Sequence, residues 1–300
     1  MACAGDAGGG NVLNIVWHEQ ENSFCHWLNN PSAITTEAVT SGYEANTLIL
    51  QLNSIPMYVL KIWKEEFRVE AKHQYEFLES ALAAGLPVPK PVGWGKTNQG
   101  LEVLATKFSG YPTDRPTKSQ LEEFARILFQ IHNVPLCNLK VTADMDTDII
   151  DLLATNFFPG IERHPDIYAI LQNLKGQYPC RERRLVHGDF NMGNVLISNG
   201  EITVIDWTDV HIGDIRYDLA WACVSLWIYL GEKEYNWFKN VYLACNELTV
   251  DELNVFESIA ALKWILLNRL VSFPDGTRIS EELRAFIEKR LPLEIYRLLD

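Results

Sequence analysis

The chain is 300 residues long and 47% hydrophobic, long for one core and comfortable for two lobes of a soluble protein. Its 26 Lys and Arg face 39 Asp and Glu, a net charge of −13 that argues against a general nucleic-acid binder, because most of the surface would repel phosphate, and suits a neutral or cationic small substrate. Six widely spaced cysteines with no Cys-x-x-Cys pair offer neither a zinc site nor a disulfide framework and point to a cytoplasmic location.

In chain order, residues 1–12 open with MACAGDAGGG, lack the basic start and apolar centre of a secretion signal, and read as a disordered tail. From Ala33 to Trp63 the segments AITTEAV, TLILQL and MYVLKIW read as strands separated by SGYEAN and by the turn Asn53-Ser54-Ile55-Pro56, which predicts an antiparallel meander. A stretch rich in Glu, Ala, Lys and Leu predicts a helix over Glu65 to Ala84, ended by Gly85, after which the prolines of LPVPKPV impose extended chain. Leu101 to Phe108 predicts another strand, and the turn-rich SGYPTDRP reads as a linker, so that residues 13–108 form a first lobe and 109–300 a second.

In the second lobe, Ser119-Gln120-Leu121-Glu122 is a capping-box pattern, followed by Leu121, Phe124, Ala125, Leu128 and Ile131 on one helical face. The acidic run Asp144, Asp146, Asp148 and Asp151 reads as a solvated helix start, with a cation-binding wall as the alternative. AWACVSLWIYL is too short to span a bilayer and predicts a buried helix, so no membrane partner is expected. Segments 249–273 and Glu281 to Leu299 are again helical in pattern.

Polar groups concentrate in LVHGDFNMGNVLISNGEITVIDWTDVHIGDIRYDLAW, which starts at Leu185. Its two apolar runs around Ser198-Asn199-Gly200 predict a β-hairpin. A hairpin brings together the residue before its first strand and the residue after its second. Asn194 and Asp206 can therefore share a hard-oxygen site for Mg2+, which keeps water and substrate phosphates as its other ligands. Asp189, on the loop before them, would face the same opening. A carboxylate beside a metal-bound polyphosphate can accept a proton from a substrate hydroxyl as the terminal phosphoryl group transfers. Taken singly, Asp189 reads as a loop cap, Asn194 as a turn residue and Asp206 as a solvating strand end; His187 and His132 read as structural, and Asp214 and Asp218 as carboxylates at a helix N-terminus.

The spacing Asp-x4-Asn with a second Asp seventeen residues after the first, worded His187-Gly188-Asp189, Ile205-Asp206-Trp207, Gly213-Asp214 and Asp218-Leu219-Ala220, resembles the aminoglycoside phosphotransferase and choline kinase-like family of small-molecule kinases. Protein kinases carry HRD and DFG at the first two of these places. The resemblance implies an α+β, bilobal protein-kinase-like fold with a small antiparallel-sheet N-terminal lobe, a larger, mainly helical C-terminal lobe and ATP in the cleft. It implies phosphorylation of a hydroxyl on a small molecule, with Asp189 catalytic, Asn194 and Asp206 on Mg2+, Lys61 on the α/β-phosphates and Asp218 bracing the catalytic loop from below. Where the family has the helix glutamate that orients the lysine, this chain has Gln74, with Glu70 and Glu76 nearby. The phosphate loop offers only Gly42, so Ser41 is expected to contact the phosphates. The alternatives are a metabolic kinase for choline, homoserine or a sugar, and a catalytically silent binding or structural relative.

Overall fold

The computed structural model describes residues 15–29, 34–39, 44–67, 69–141, 160–175, 177, 183–270 and 281–299. The 1–12 tail, Ser41, Gly42 and the acidic run 144–151 lie outside the described residues. Contacts group the chain into two compact units. One comprises Met1–Tyr111, Cys137–Thr142 and Leu196–Thr208; the other comprises Pro112–Leu136, Ala143–Val195 and Asp209–Asp300. The first thus takes in most of the hairpin as well as the N-terminal segment.

In the first unit six strands pair antiparallel in the order β1-β5-β6-β4-β3-β2. The strands are β1 (Ile15–Gln20), β2 (Ile34–Ala38), β3 (Ala45–Leu52), β4 (Ile55–Trp63), β5 (Pro91–Thr97) and β6 (Glu102–Lys107). Strands β2 to β4 are the expected meander. Asn53 and Ser54 alone make the second turn, with φ of 51° and 65°, so β4 begins at Ile55 rather than Met57. Helix α1 (Asn22–Leu28) lays Phe24 and Trp27 over one sheet face, where Leu50, Tyr58, Leu60, Ile62, Val92 and Val103 form a core. Alternation along β4 then turns Val59, Lys61 and Trp63 to the other face. There they share a cavity with Gln74 and Leu78 of helix α2 (Ala71–Ala83).

Helix α2 starts six residues later than its composition suggested. The Ala71 N–H donates to the Glu102 carboxylate of β6 at 3.1 Å, a long-range cap that no local pattern reveals, while residues 65–67 form a turn. The hairpin is present as Val195–Ser198 and Glu201–Val204, closed by Asn199-Gly200 with φ of 51° and 85°, as a two-residue primed turn requires. It is tied to the first unit by Val204 N–H, which donates to the Pro87 carbonyl at 2.6 Å.

In the second unit, helix α3 (Lys118–His132) is capped two residues before the expected Ser119. Thr117 Oγ1 accepts the Gln120 N–H and the Gln120 side chain accepts the Thr117 N–H, so the earlier of two overlapping capping-box patterns is the one used. Helix α4 (Pro165–Leu174) follows, then the short antiparallel pair Arg184–Val186 and His211–Gly213. Helix α5 (Ile215–Leu230) is buried on all sides from Arg216 to Trp227, enclosed by α6 (Glu232–Ala244), α7 (Val250–Leu270) and α8 (Glu281–Arg290). Its one buried cation, Arg216, is paired with Asp214 at 2.6 Å and Glu252 at 3.1 Å. The expected helix over Glu281 to Leu299 is broken: α8 ends at Arg290 and Pro292, which has no N–H to continue it, caps a short α9 (Leu293–Tyr296). Among the described residues no helix is long and apolar enough to cross a membrane.

The cap assignment predicts that Thr117→Ala costs about 1 kcal/mol in urea unfolding, whereas Ser119→Ala costs a few tenths at most. The reverse ranking would place the helix start at Ser119.

Candidate active site

In the first unit Lys61, projecting from the pocket face of β4, is ion-paired with Asp206, and its ammonium also donates to Thr208 Oγ1 at 2.9 Å. The Thr208 hydroxyl in turn donates to Asp206 Oδ1 at 2.9 Å, so one carboxylate oxygen is held from two directions. Asp206 has φ of 63°, the left-handed region that a residue other than glycine rarely enters. The turn is stabilised by the next residue: Trp207 packs on Phe77 of α2 at 5.2 Å between ring centroids and donates its indole N–H to the Val204 carbonyl at 2.8 Å. The cavity that holds Lys61, Gln74 and Asp206 is walled by apolar groups such as Val59, Leu104 and Ile205 and by the polar Thr47, Thr106 and Ser109.

None of the carboxylates considered for Lys61 on α2 reaches it. Glu70 pairs with His73 at 3.4 Å and Glu76 approaches Lys72 at 4.0 Å, while Gln74 lines the cavity without bonding to the lysine. Among the described residues the hydrogen-bonding partners of the Lys61 ammonium are Asp206 and Thr208.

In the second unit the loop Val186–Asn194 is built on Asp218, one turn into α5 and fully buried. Asp218 Oδ2 accepts the His187 N–H at 2.8 Å and the His132 Nε2 at 3.0 Å; Oδ1 accepts the Gly188 N–H at 3.0 Å. His132 is fixed from its other side by the Tyr242 hydroxyl at 2.5 Å from Nδ1, and His187 Nδ1 accepts the Asp189 N–H at 3.2 Å. His187 thus holds the loop, as expected, whereas His132, read from the sequence as a packing residue, is hydrogen-bonded to Asp218 and Tyr242 as well as packed. Gly188 has φ of +87°, and a Cβ there would lie 2.6 Å from the Asp209 Cβ, so only glycine lets the loop pass.

Three neutral donors fix the Asp189 carboxylate, two from this loop and one from α5. Oδ1 accepts Asn191 Nδ2 at 3.0 Å and the Trp221 indole N–H at 2.8 Å, and Oδ2 accepts Asn194 Nδ2 at 2.9 Å. Asn194 Nδ2 also donates to the Asp189 carbonyl at 2.9 Å, which commits the nitrogen end of that amide and leaves Oδ1 as its donor atom for a cation. Asn194 and Asp206 belong to the second and first units respectively, and their oxygens are the hard donors that suit Mg2+. Asp189 Oδ2 retains room for one more hydrogen bond, enough for an acceptor hydroxyl. Sequence reasoning missed Thr208, Asn191 and Trp221. The last lies three residues after Asp218, a spacing that puts both on one side of α5.

Burial alone would raise the Asp218 carboxyl, yet the hydrogen bond from His132 and those from the loop outweigh it and hold the group below its ordinary value of 3.8. A carboxyl lowered in the folded state contributes stability that is complete above the unfolded value and is lost as pH falls through the folded one. Asp218→Asn should therefore destabilise the protein by about 3 kcal/mol at neutral pH. In urea unfolding the gap to wild type should narrow as pH falls below 3.8. A gap that does not change with pH would mean that the charge is not what holds the loop.

A hygromycin-B 4-O-kinase of Escherichia coli is 54% identical over 43 residues, which span 14% of this chain and 13% of that protein. A thermostable mutant of aminoglycoside phosphotransferase APH(4)-Ia, in a ternary complex with ADP and hygromycin B, superimposes with a TM-score of 0.62 at 16% identity, covering 88% of this chain and 97% of the other. Amicoumacin kinase hAmiN, in complex with AMP-PNP, Ca2+ and Ami, gives 0.61 at 14% identity over 93% and 94% of the two chains. The α+β fold with an antiparallel-sheet N-terminal part and a helical C-terminal part is therefore that of these kinase-like structures. Residues 35–236, more than half of the chain, match the phosphotransferase enzyme family (APH), and the chain belongs to that family.

Proposed function

We propose that the protein transfers the terminal phosphoryl group of ATP to a hydroxyl of a small molecule. The observation that carries this reading is the Asp189 carboxylate, oriented by Asn191, Asn194 and Trp221 with Oδ2 available to an acceptor. The acceptor oxygen bonds to the γ-phosphorus as the bond to the ADP oxygen breaks, and Asp189 Oδ2 takes the hydroxyl proton late in a loose transition state. Lys61 meets the α/β-phosphates with its ammonium, and Gln74, which lines the same cavity, steadies the nucleotide beside it. Asn194 Oδ1 and the Asp206 carboxylate hold Mg2+, which when bound draws negative charge from the phosphate oxygens.

A cationic acceptor is favoured by the net charge of −13 and by the cavity beside the catalytic loop, where Asp114 and Tyr229 stand with Asn191 and Gly193. The kinship with a hygromycin-B 4-O-kinase makes aminoglycosides the first acceptors to try. Cys137, Cys223 and Cys245 form no disulfide among the described residues, in keeping with work in the cytoplasm.

The test is ADP release with Mg·ATP and a panel of hygromycin B, other aminoglycosides, choline, homoserine and sugars. One acceptor class should stimulate it, and stimulation by choline, homoserine or a sugar alone would select a metabolic kinase. With the active acceptor, Asp189→Asn should lower kcat about a hundredfold or more while Mg·ATP affinity stays within a few-fold. Asp206→Ala should abolish Mg2+-dependent nucleotide binding in calorimetry. No stimulation by any acceptor, or near-full turnover in Asp189→Asn, would overturn the reading.

A further inference from the structure

Trp221 sits within a helix that is buried on every side from Arg216 to Trp227, and its indole is almost fully buried. Packing would explain a large ring there, but packing does not need the N–H. The contrast with other tryptophans of the chain is informative: among the described residues the buried Nε1 groups of Trp27, Trp63 and Trp264 have no hydrogen-bond partner, whereas that of Trp221 points at Asp189 Oδ1 from 2.8 Å. The ring carrying it is clamped. Trp264 of α7 stacks on it at 5.3 Å with an interplanar angle of 12°, and the ammonium of the buried Lys263 lies 4.2 Å from its centroid.

We propose that Trp221 is a positioning residue for Asp189, with the Lys263 ammonium on its ring sharpening the indole N–H as a donor. The inference rests on Asp189 being the group that accepts the acceptor's proton. A cation over an indole draws electron density from the ring, so the N–H becomes a stronger hydrogen-bond donor, and burial keeps water from screening the effect. Asn191 and Trp221 together saturate Oδ1 of the carboxylate. They thereby direct the acceptor hydroxyl to Oδ2, the oxygen that Asn194 holds from one side only. Losing the indole bond would let the carboxylate rotate and offer the wrong oxygen, a fault felt in turnover and not in nucleotide binding.

The experiment replaces Trp221 in the full chain by 3-benzothienylalanine, which keeps the ring's shape and exchanges N–H for sulfur, with Trp221→Phe as the genetically simpler partner. Turnover is read with the acceptor giving the highest rate in the panel above, in wild-type and Asp189→Asn backgrounds. We expect kcat to fall ten- to a hundredfold, the scale of one lost hydrogen bond to a charged group, with the KM for ATP within about twofold. On the Asp189→Asn background the same replacement should cost about twofold or less, because the two changes remove one arrangement. Lys263→Met should give a smaller fall and move the Trp221 indole N–H resonance upfield in a spectrum of 15N-labelled protein.

An unchanged kcat, or an equal fall in both backgrounds, overturns the positioning role while leaving Asp189 as the base. An unmoved indole resonance overturns the part given to Lys263. Full turnover in Asp189→Asn alone, or no turnover with any acceptor, overturns the underlying reading and this inference with it.

Discussion

The loop that presents Asp189 in the second unit hangs from one buried carboxylate. Asp218 lies in the first turn of a helix whose surroundings are apolar, where an unpaired charge would be prohibitive. It survives because two loop N–H groups and an imidazole converge on its two oxygens. The same bonds that make the charge tolerable dictate the path of residues 187 and 188, and so where Asp189 emerges. The loop's one steric requirement, the left-handed Gly188 against Asp209, is the consequence of pulling the chain in this close.

The first unit solves a different problem with a similar device. Its sheet supplies a lysine on the face opposite the Phe24 core, and the hairpin supplies the carboxylate that meets it. Asp206 takes an uncommon backbone conformation to do so, anchored by the Trp207 indole on one side and by Lys61 and Thr208 on the other. Strain of this kind persists only where neighbours over-determine it. A lysine whose partner is Asp206, with no acid from α2 among the described residues, is a departure from the arrangement the family resemblance implies, and Gln74 is its visible sign in the sequence.

Much of this is legible in the sequence. The hairpin announced itself because Asn199-Gly200 permits a primed turn and its flanks are apolar, and alternation in YVLKIW separated Lys61 from the core-facing Leu60 and Ile62. What the sequence hid were features fixed by distant partners. The start of α2 depends on Glu102 thirty-one residues away, and the β1–α1 layer gains its meaning only from the sheet it covers. Two capping boxes overlapped at the head of α3, and local pattern could not choose between them. Trp221 was hidden for a different reason: in a run of apolar residues a tryptophan looks like filling, and its N–H shows a purpose only when a carboxylate stands in front of it.

The central claim is that a phosphoryl group passes from ATP to an alcohol at Asp189. Phosphorus NMR of Mg·ATP, the protein and an aminoglycoside acceptor follows both products in one tube. The account predicts a new phosphomonoester resonance growing in step with ADP, and none with Asp189→Asn over the same time. Growth of inorganic phosphate alone, or of the monoester at an equal rate in the variant, would contradict it.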